Sequence, residues 1–321
     1  MPEAVFVRAW DRTRLTLAAS AGAGEVWQLP DGRAAVLDTT AKSSGDKTDG
    51  WQTSGQFTLP KTNGVVILDG APVYWDHSAN SATYRAVNDR DFFLGTSAGD
   101  YSSGDTTIVV NLNVRPTYLV ELARDAFISA LVGTVAASGC NILPRGGGLN
   151  FVLNSTSEAQ KLDALSVHGF SKDANWIVEG AFRVVSDGAG TNTDVSLGIA
   201  NATHATDADS ITESVFIHLD GNNTNINAES DDGTTEVAAT DTTLDYTEGT
   251  ALATRVEFWL DGRDPADVQI YVNGALVLGS TVFNVNAAVG PLFLLAHVEK
   301  TSSADTYEVA LDWLRVRLAE Q

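Results

Sequence analysis

Apolar residues return at every second position in four separate stretches: Val195, Leu197 and Ile199; Val215, Ile217 and Leu219; Val256, Phe258 and Leu260; Val268, Ile270 and Val272. Successive side chains of a β-strand point to opposite faces, so a period of two marks a strand with one face on a core and the other turned away from it. A helix would need a period near 3.6, and that spacing is scarce here. The chain is therefore expected to be all-β, with an antiparallel sandwich in its second half. Tyr271-Val272-Asn273-Gly274-Ala275 places Asn-Gly between apolar runs, where a type I′ turn needs two positive φ angles, and predicts a tight hairpin. From Tyr307 to Leu318 the apolar parity changes. It runs through Tyr307, Val309 and Leu311, then through Leu314, Val316 and Leu318. One inserted bulge residue produces such a change, so a long central strand with a bulge is expected. Two short helices are also expected, over Val120–Leu131 and over Ser157–Leu165, the second behind the cap candidates Asn154, Ser155 and Thr156.

The first half reads differently. Gly64–Leu68, Ala71–Trp75, Asp91–Gly95 and Thr106–Leu112 are short strand-like runs bounded by turn residues, and they suit a small barrel-like domain. Asp38–Thr53 is polar and glycine-containing and reads as an exposed loop, the segment most prone to disorder. Charge separates the halves as well. Residues 1–115 hold 10 basic and 13 acidic residues, whereas 116–321 hold 10 and 28, so the expected domains are 1–115 and 116–321, the second a jelly roll pointing into solvent.

The net charge of −21 excludes a nucleic-acid partner, because affinity for phosphates comes chiefly from Lys and Arg. Cys140 is the sole cysteine, which leaves no intrachain disulfide and no cysteine zinc cluster. The opening MPEAVFVRAWDRT carries charges where a secretory leader needs apolar residues, and Ala126–Ala137 is too short to span a bilayer. Synthesis in the cytoplasm and no membrane partner are the expectations.

Motifs for chemistry were sought next. Gly95-Thr96-Ser97-Ala98-Gly99 has the spacing of a hydrolase nucleophile elbow, but a turn sequence follows where that motif needs a helix. Glu257 and Asp261 share a strand face four residues apart, and no closer carboxylate alternation of the glycosidase kind occurs. Gly146-Gly147-Gly148 lacks the Lys-Ser/Thr of a phosphate loop and reads as a flexible connector. The five histidines are dispersed, with no pair at metal-ligand spacing. No enzyme activity is expected. No cofactor is expected either, with one reading left open: Asp207, Asp209, Asp220, Asp231 and Asp232 are either solvated loop acids or a calcium site assembled from acidic loops. Trp259 and Tyr271 fall on the polar parity of their strands, which suits cross-strand packing or stacking against a carbohydrate.

Four short segments occur in an order with meaning: Gly55-Gln56-Phe57-Thr58-Leu59-Pro60-Lys61, Gly70-Ala71-Pro72-Val73-Tyr74-Trp75-Asp76, Phe93-Leu94-Gly95, and Ser103-Gly104-Asp105-Thr106 continuing to Asn113. Together they resemble the small β domain of tailed-phage capsid decoration proteins. That resemblance implies a barrel-like first domain of the β-tulip type and a virion protein on the outer face of the capsid, binding the major capsid protein as a homotrimer and stabilising the expanded shell. Phe6, Trp10 and Trp27 are then candidate anchors for the shell or the trimer axis, with core burial the other reading for Trp27. The second half, through Asp267–Gly274 and Ala310–Val316, is similar to concanavalin-like sandwiches of the laminin-G type. Such sandwiches include carbohydrate binders, which implies an alternative role as an adhesin for a host-surface glycan, with Trp259 and Tyr271 as stacking residues.

Overall fold

The computed structural model describes residues 12–17, 19–37, 41–130, 141–153, 157–188, 193–204, 207–221, 223–301, 304 and 306–319. Phe6, Trp10, Cys140 and the cap candidates Asn154, Ser155 and Thr156 lie outside them. The chain divides into two units, Met1–Pro116 and Thr117–Gln321. Both are built of antiparallel strands. Among the described residues no helix is long and apolar enough to cross a membrane.

The first unit holds two sheets. One runs in the order Arg12–Thr16, Lys47–Gln52, Ala34–Leu37, Val26–Gln28, and the other in the order Gln56–Pro60, Thr107–Leu112, Phe92–Ser97, Pro72–Asp76, Ser81–Thr83. Three of the four strand-like runs became strands. The fourth, Gly64–Leu68, is a loop with a single bridge from Ile67 to Tyr101, although Ile67 and Leu68 are buried in it. Asp38–Thr53 is also corrected, because Lys47–Gln52 within it is a strand and Trp51 is fully buried between Leu37 and its neighbours. Burying one large apolar side chain contributes roughly 1.5–3 kcal/mol, which outweighs the turn preference of the polar residues around it. Asn113 ties the two sheets together. With φ near 60° it donates to the carbonyls of Ala34 and Thr53, and its side-chain oxygen accepts from the Ala34 amide. Asn tolerates this left-handed conformation better than any branched residue.

The second unit is a sandwich. Sheet I runs in the order Asn141–Arg145, Gly148–Leu153, Tyr307–Leu318, Trp176–Ser186, Val256–Gly262, Gln269–Val272, Ala275–Val277, with Val120–Glu121 also paired to the terminal strand. Sheet II runs in the order Ala126–Ala130, Gln160–Ser166, Pro291–Lys300, Thr193–Ala200, Glu213–Asp220, Asn225–Asp232, Glu236–Asp245, with Phe170–Ser171 beside Pro291–Lys300. One continuous apolar cluster fills the space between them. Every period-two triplet of the sequence lies in that cluster.

Local details follow from the same parity. Asn273 and Gly274 take φ of 50° and 78° and join Val272 to Ala275 as the expected hairpin. The terminal strand is central. Its register against Trp176–Ser186 jumps from Ala181 opposite Trp313 to Phe182 opposite Leu311, so Asp312 is the bulged residue. Gly148 packs against this bulge, where an added Cβ would come 2.0 Å from the Leu311 carbonyl oxygen. Gly146 and Gly147, with φ of 56° and 106°, form the tight turn between the first two strands of sheet I, so that glycine run is a hairpin turn and not a loose connector. The two expected helices are largely absent. Only Leu122–Asp125 is helical in the first segment, with Ala126–Ala130 a strand, and Gln160–Ser166 in the second is a strand paired along Leu295–Lys300.

Candidate functional site

The outward faces of the two sheets both carry buried ionisable groups, and they are organised differently. On sheet I, the outward parity of Trp176–Ser186, Tyr307–Leu318 and Val256–Gly262 presents Glu179, Trp313, Arg315, Arg317, Glu257, Trp259 and Asp261. Glu179 is only 1% exposed. Its Oε1 accepts from Arg317 Nε at 2.8 Å, and its Oε2 accepts from Arg315 Nε at 3.1 Å and from the Tyr118 hydroxyl at 3.0 Å. Burial alone would raise its pKa, but the two guanidinium charges and these hydrogen bonds hold it below the ordinary glutamate value. Burial, and then the Glu179 charge, push the Tyr118 phenol upward. The Arg315 guanidinium lies between two rings, 4.1 Å from the Tyr118 centroid and 5.0 Å from that of Trp313. Both Glu179 carboxylate oxygens are thereby satisfied within this layer.

The strand carboxylates considered for glycosidic chemistry belong to that layer. Glu257 is engaged by Arg255, and Asp261 accepts from Arg263 Nε at 2.8 Å and Nη2 at 2.6 Å. Both are buried and ion-paired, whereas bond cleavage demands two carboxylates facing one another across an accessible cleft. Ser97 is equally committed. It is 1% exposed, ends a strand, and donates to the Gly99 carbonyl at 2.6 Å, with no helix after it. Trp259 and Tyr271 are directly opposite one another on neighbouring strands, with ring centroids 6.1 Å apart. Trp259 is 7% exposed, which leaves little of its face for a sugar.

Sheet II carries a row of buried polar groups in lateral register: Asp163, His297, Ser196, His218 and Asn227, one from each of five adjacent strands. His297 Nδ1 meets Asp163 Oδ1 at 2.6 Å, and its Nε2 meets Glu299 Oε2 at 3.2 Å. Burial lowers the pKa of His297, but the hydrogen bonds to Asp163 and Glu299 override it and raise it to about 9. Beside it, His218 Nδ1 faces Asp209 Oδ1 and Glu229 Oε1, each at 3.4 Å, and Nε2 faces Asp194 Oδ2 at 3.5 Å. Asp209 arrives from outside the sheet. It sits in the single 3-10 turn Ala208–Ser210, which Asp207 caps, and this turn is pinned to the sheet face by Ala208 and Ile211 packing on Ala200, Phe216 and Leu295.

Crowding of like charge shows in this cluster. Burial first, and then the neighbouring carboxylates, raise Asp194 to about 7 and Asp209 to about 6. His218 is raised to about 9, because Glu229, Asp194 and Asp209 override the opposing effect of burial.

The five acids read as a calcium site do not come together. Among the described residues the one group of three or more ligand-type side chains is Asp194, Asp209 and His218, which contains only Asp209 of the five. Asp207 caps its turn, Asp231 accepts from the Gly233 amide, and Asp232 is bound by Thr234, Thr235 and the Ala287 amide. Asp220 sits at the end of its strand opposite Asp194. The dispersed histidines, in contrast, do matter, since strand pairing brings His218 and His297 onto one face. A sequence signal existed: His218 has the parity opposite to Val215, Ile217 and Leu219, and so do Asp194 and Ser196 opposite Val195 and Leu197.

In the first unit, Trp27 is half-buried. Its indole donates to Glu25 at 2.8 Å and its ring lies 5.0 Å from that of Trp51. It lines an open depression of about 780 Å³ with Gln28, Leu59, Trp75, Arg90 and Phe92.

Residues 8–112 match the family model of the phage cement protein. This match supports a capsid-stabilising structural role, with the shell as binding partner and the virion as location. No curated protein matches the chain. Among solved structures, the carbohydrate recognition domain of Emp46p in its potassium-bound form is similar at 9% identity, covering 62% of this chain and 90% of that one, with a TM-score of 0.40. A Bacteroides ovatus mixed-linkage glucan GH16 protein in complex with its product is similar at 7% identity, over 63% of this chain and 97% of that one, with a TM-score of 0.40. LamAcat from Zobellia galactanivorans is similar at 12% identity, over 60% and 90% of the two chains, with a TM-score of 0.37.

Proposed function

We propose that the protein decorates the expanded capsid of a tailed phage as a homotrimer, with residues 1–115 gripping the major capsid protein and the acidic sandwich, 116–321, turned outward. The observation that carries this reading is the cement-protein match over residues 8–112, which falls within the unit Met1–Pro116. Such a role needs no bond-breaking chemistry. A clamp that binds the expanded shell and not its precursor stabilises the expanded form by mass action, and several gripping units on one trimer add avidity. Trp27, half-buried at the rim of an open depression, is the described aromatic best placed to serve as an anchor.

Purified protein mixed with expanded undecorated heads and with unexpanded proheads tests this directly, by co-sedimentation and by the heat resistance of the heads. Saturable binding to expanded heads alone, in multiples of three, is expected. Trp27→Ala is expected to weaken binding by about thirtyfold, the effect of losing one interface hot spot. Binding to neither particle would reject the clamp. An outward adhesin using Trp259 and Tyr271 is the second reading, and the burial of Trp259 weighs against it. Silence on a glycan array, with and without calcium, would remove it.

A further inference from the structure

The two outward faces of the sandwich differ in how their carboxylates are neutralised. On sheet I each buried acid has an arginine against it. Around His218 on sheet II, three carboxylates from three different chain segments meet one imidazole. Two of their oxygens, Asp194 Oδ1 and Glu229 Oε1, are buried without a hydrogen-bond partner. Glu229 is itself only 7% exposed, and its Oε1 is aimed at His218 Nδ1. A buried oxygen with no donor costs free energy that the fold must offset elsewhere, so something is expected to occupy its lone pairs.

We propose that Asp194, Asp209 and His218 form a binding site for a divalent transition-metal cation of the Mn²⁺ or Zn²⁺ class, with the buried Glu229 carboxylate beside the ring. One ligand atom from each of Asp194, Asp209 and His218 lies within 4.8 Å of the others. Ligands bonded to one such ion at about 2.0–2.2 Å stand roughly 3–3.6 Å apart at neighbouring positions, so the widest separation closes by about 1 Å, a movement that rotation of the half-exposed Asp209 side chain supplies. Two of the three ligands project from the adjacent strands Thr193–Ala200 and Glu213–Asp220, whose register fixes their separation, and Glu229 flanks them from Asn225–Asp232. The third comes from the turn held down by Ala208 and Ile211. Ser196 Oγ, 3.3 Å from His218 Nδ1, completes the polar surroundings of the ring.

The donor set selects the ion. Ca²⁺ takes six to eight oxygens and gains little from an imidazole, whereas Mn²⁺ and Zn²⁺ accept carboxylate and imidazole together. An entry path exists, since the Asp209 side chain is 47% exposed on the solvent side. A bound cation also neutralises the surplus negative charge that three carboxylates leave beside one ring. On the outward sandwich it would pin the 207–211 turn to the sheet, a stabilising role independent of what the first unit binds.

The test is calorimetric titration of the metal-free full chain with ZnCl₂ and with MnCl₂, with Mn²⁺ electron paramagnetic resonance as the second readout. A chain of this acidity attracts cations everywhere, so the exposed carboxylate variant Asp241→Asn serves as the control. One saturable ion per chain is expected, resistant to tenfold excess Ca²⁺, weakened tenfold or more by Asp209→Asn and unchanged by Asp241→Asn. Because Asp209 is exposed, its variant folds even where Glu229→Gln does not. The proposal is overturned by the lack of a saturable site, by full displacement with Ca²⁺, or by equal affinity in wild type and Asp209→Asn.

Discussion

Glu179 shows what one buried side chain can hold in place. Removing its charge leaves Arg317, 3% exposed, without its partner, and breaking a buried pair by deleting one member costs about 3–5 kcal/mol. Glu179→Gln is therefore expected to lower the urea midpoint sharply at pH 7. The pH dependence has a definite sign. The folded-state pKa of Glu179 lies below its unfolded value of 4.5, so its contribution is fully present above that value and is lost as pH falls toward the folded pKa. Urea midpoints measured from neutral pH into the acid range should fall on that side in the wild type and fall less steeply in Glu179→Gln. Parallel slopes for the two proteins would show that Glu179 is not the group responsible.

At the scale of elements, the bulge at Asp312 sets the faces of the longest strand. Upstream of it Val309 and Leu311 point into the core, downstream of it Leu314 and Val316 do, and Arg183 anchors the bulge through Asp312. Deleting Asp312 sets Trp313 directly after Leu311, opposite the consecutive pair Ala181 and Phe182, so the alternation becomes regular and Leu311, Leu314 and Val316 all keep facing the core. Retention of the near-ultraviolet circular dichroism of the sandwich is the expected result, with a lower urea midpoint from loss of the Arg183–Asp312 ion pair; loss of the signal would show that the bulge itself is needed to hold the two faces. This bulge and the Asn273-Gly274 hairpin were legible in the sequence because each is encoded locally, by parity or by two turn residues. Gln160–Ser166 was not. Its Leu162 and Leu165 mimic helical spacing because Leu165 packs in a second apolar cluster on the outward face, under the 207–211 turn, and a strand covered on both faces loses its alternation. The His218 cluster was hidden for a related reason. Asp194, His218 and Glu229 become neighbours only through strand register, and no spacing in the chain encodes which strands pair.

For the whole molecule, the decisive quantity is charge. The chain carries −21, and 28 of its 41 acids lie in residues 116–321. If many copies crowd one shell with these acidic halves outward, each bound copy repels the next, and the repulsion grows with occupancy. Salt screens it: the Debye length is about 30 Å at 0.01 M and about 8 Å at 0.15 M, less than the width of a sandwich domain. Occupancy of expanded heads at saturating protein is therefore expected to rise as ionic strength increases over that range, with the heat resistance of the heads rising in step. A basic protein on a polyanion behaves in the opposite way, losing affinity with every increment of salt. Co-sedimentation stoichiometry against NaCl concentration separates the cases. Rising occupancy means that the shell contact is largely uncharged and that neighbour repulsion limits decoration. Falling occupancy would mean that acidic residues of the decorating chain bind the shell directly, and would move the anchor from the aromatic rim around Trp27 to the carboxylates.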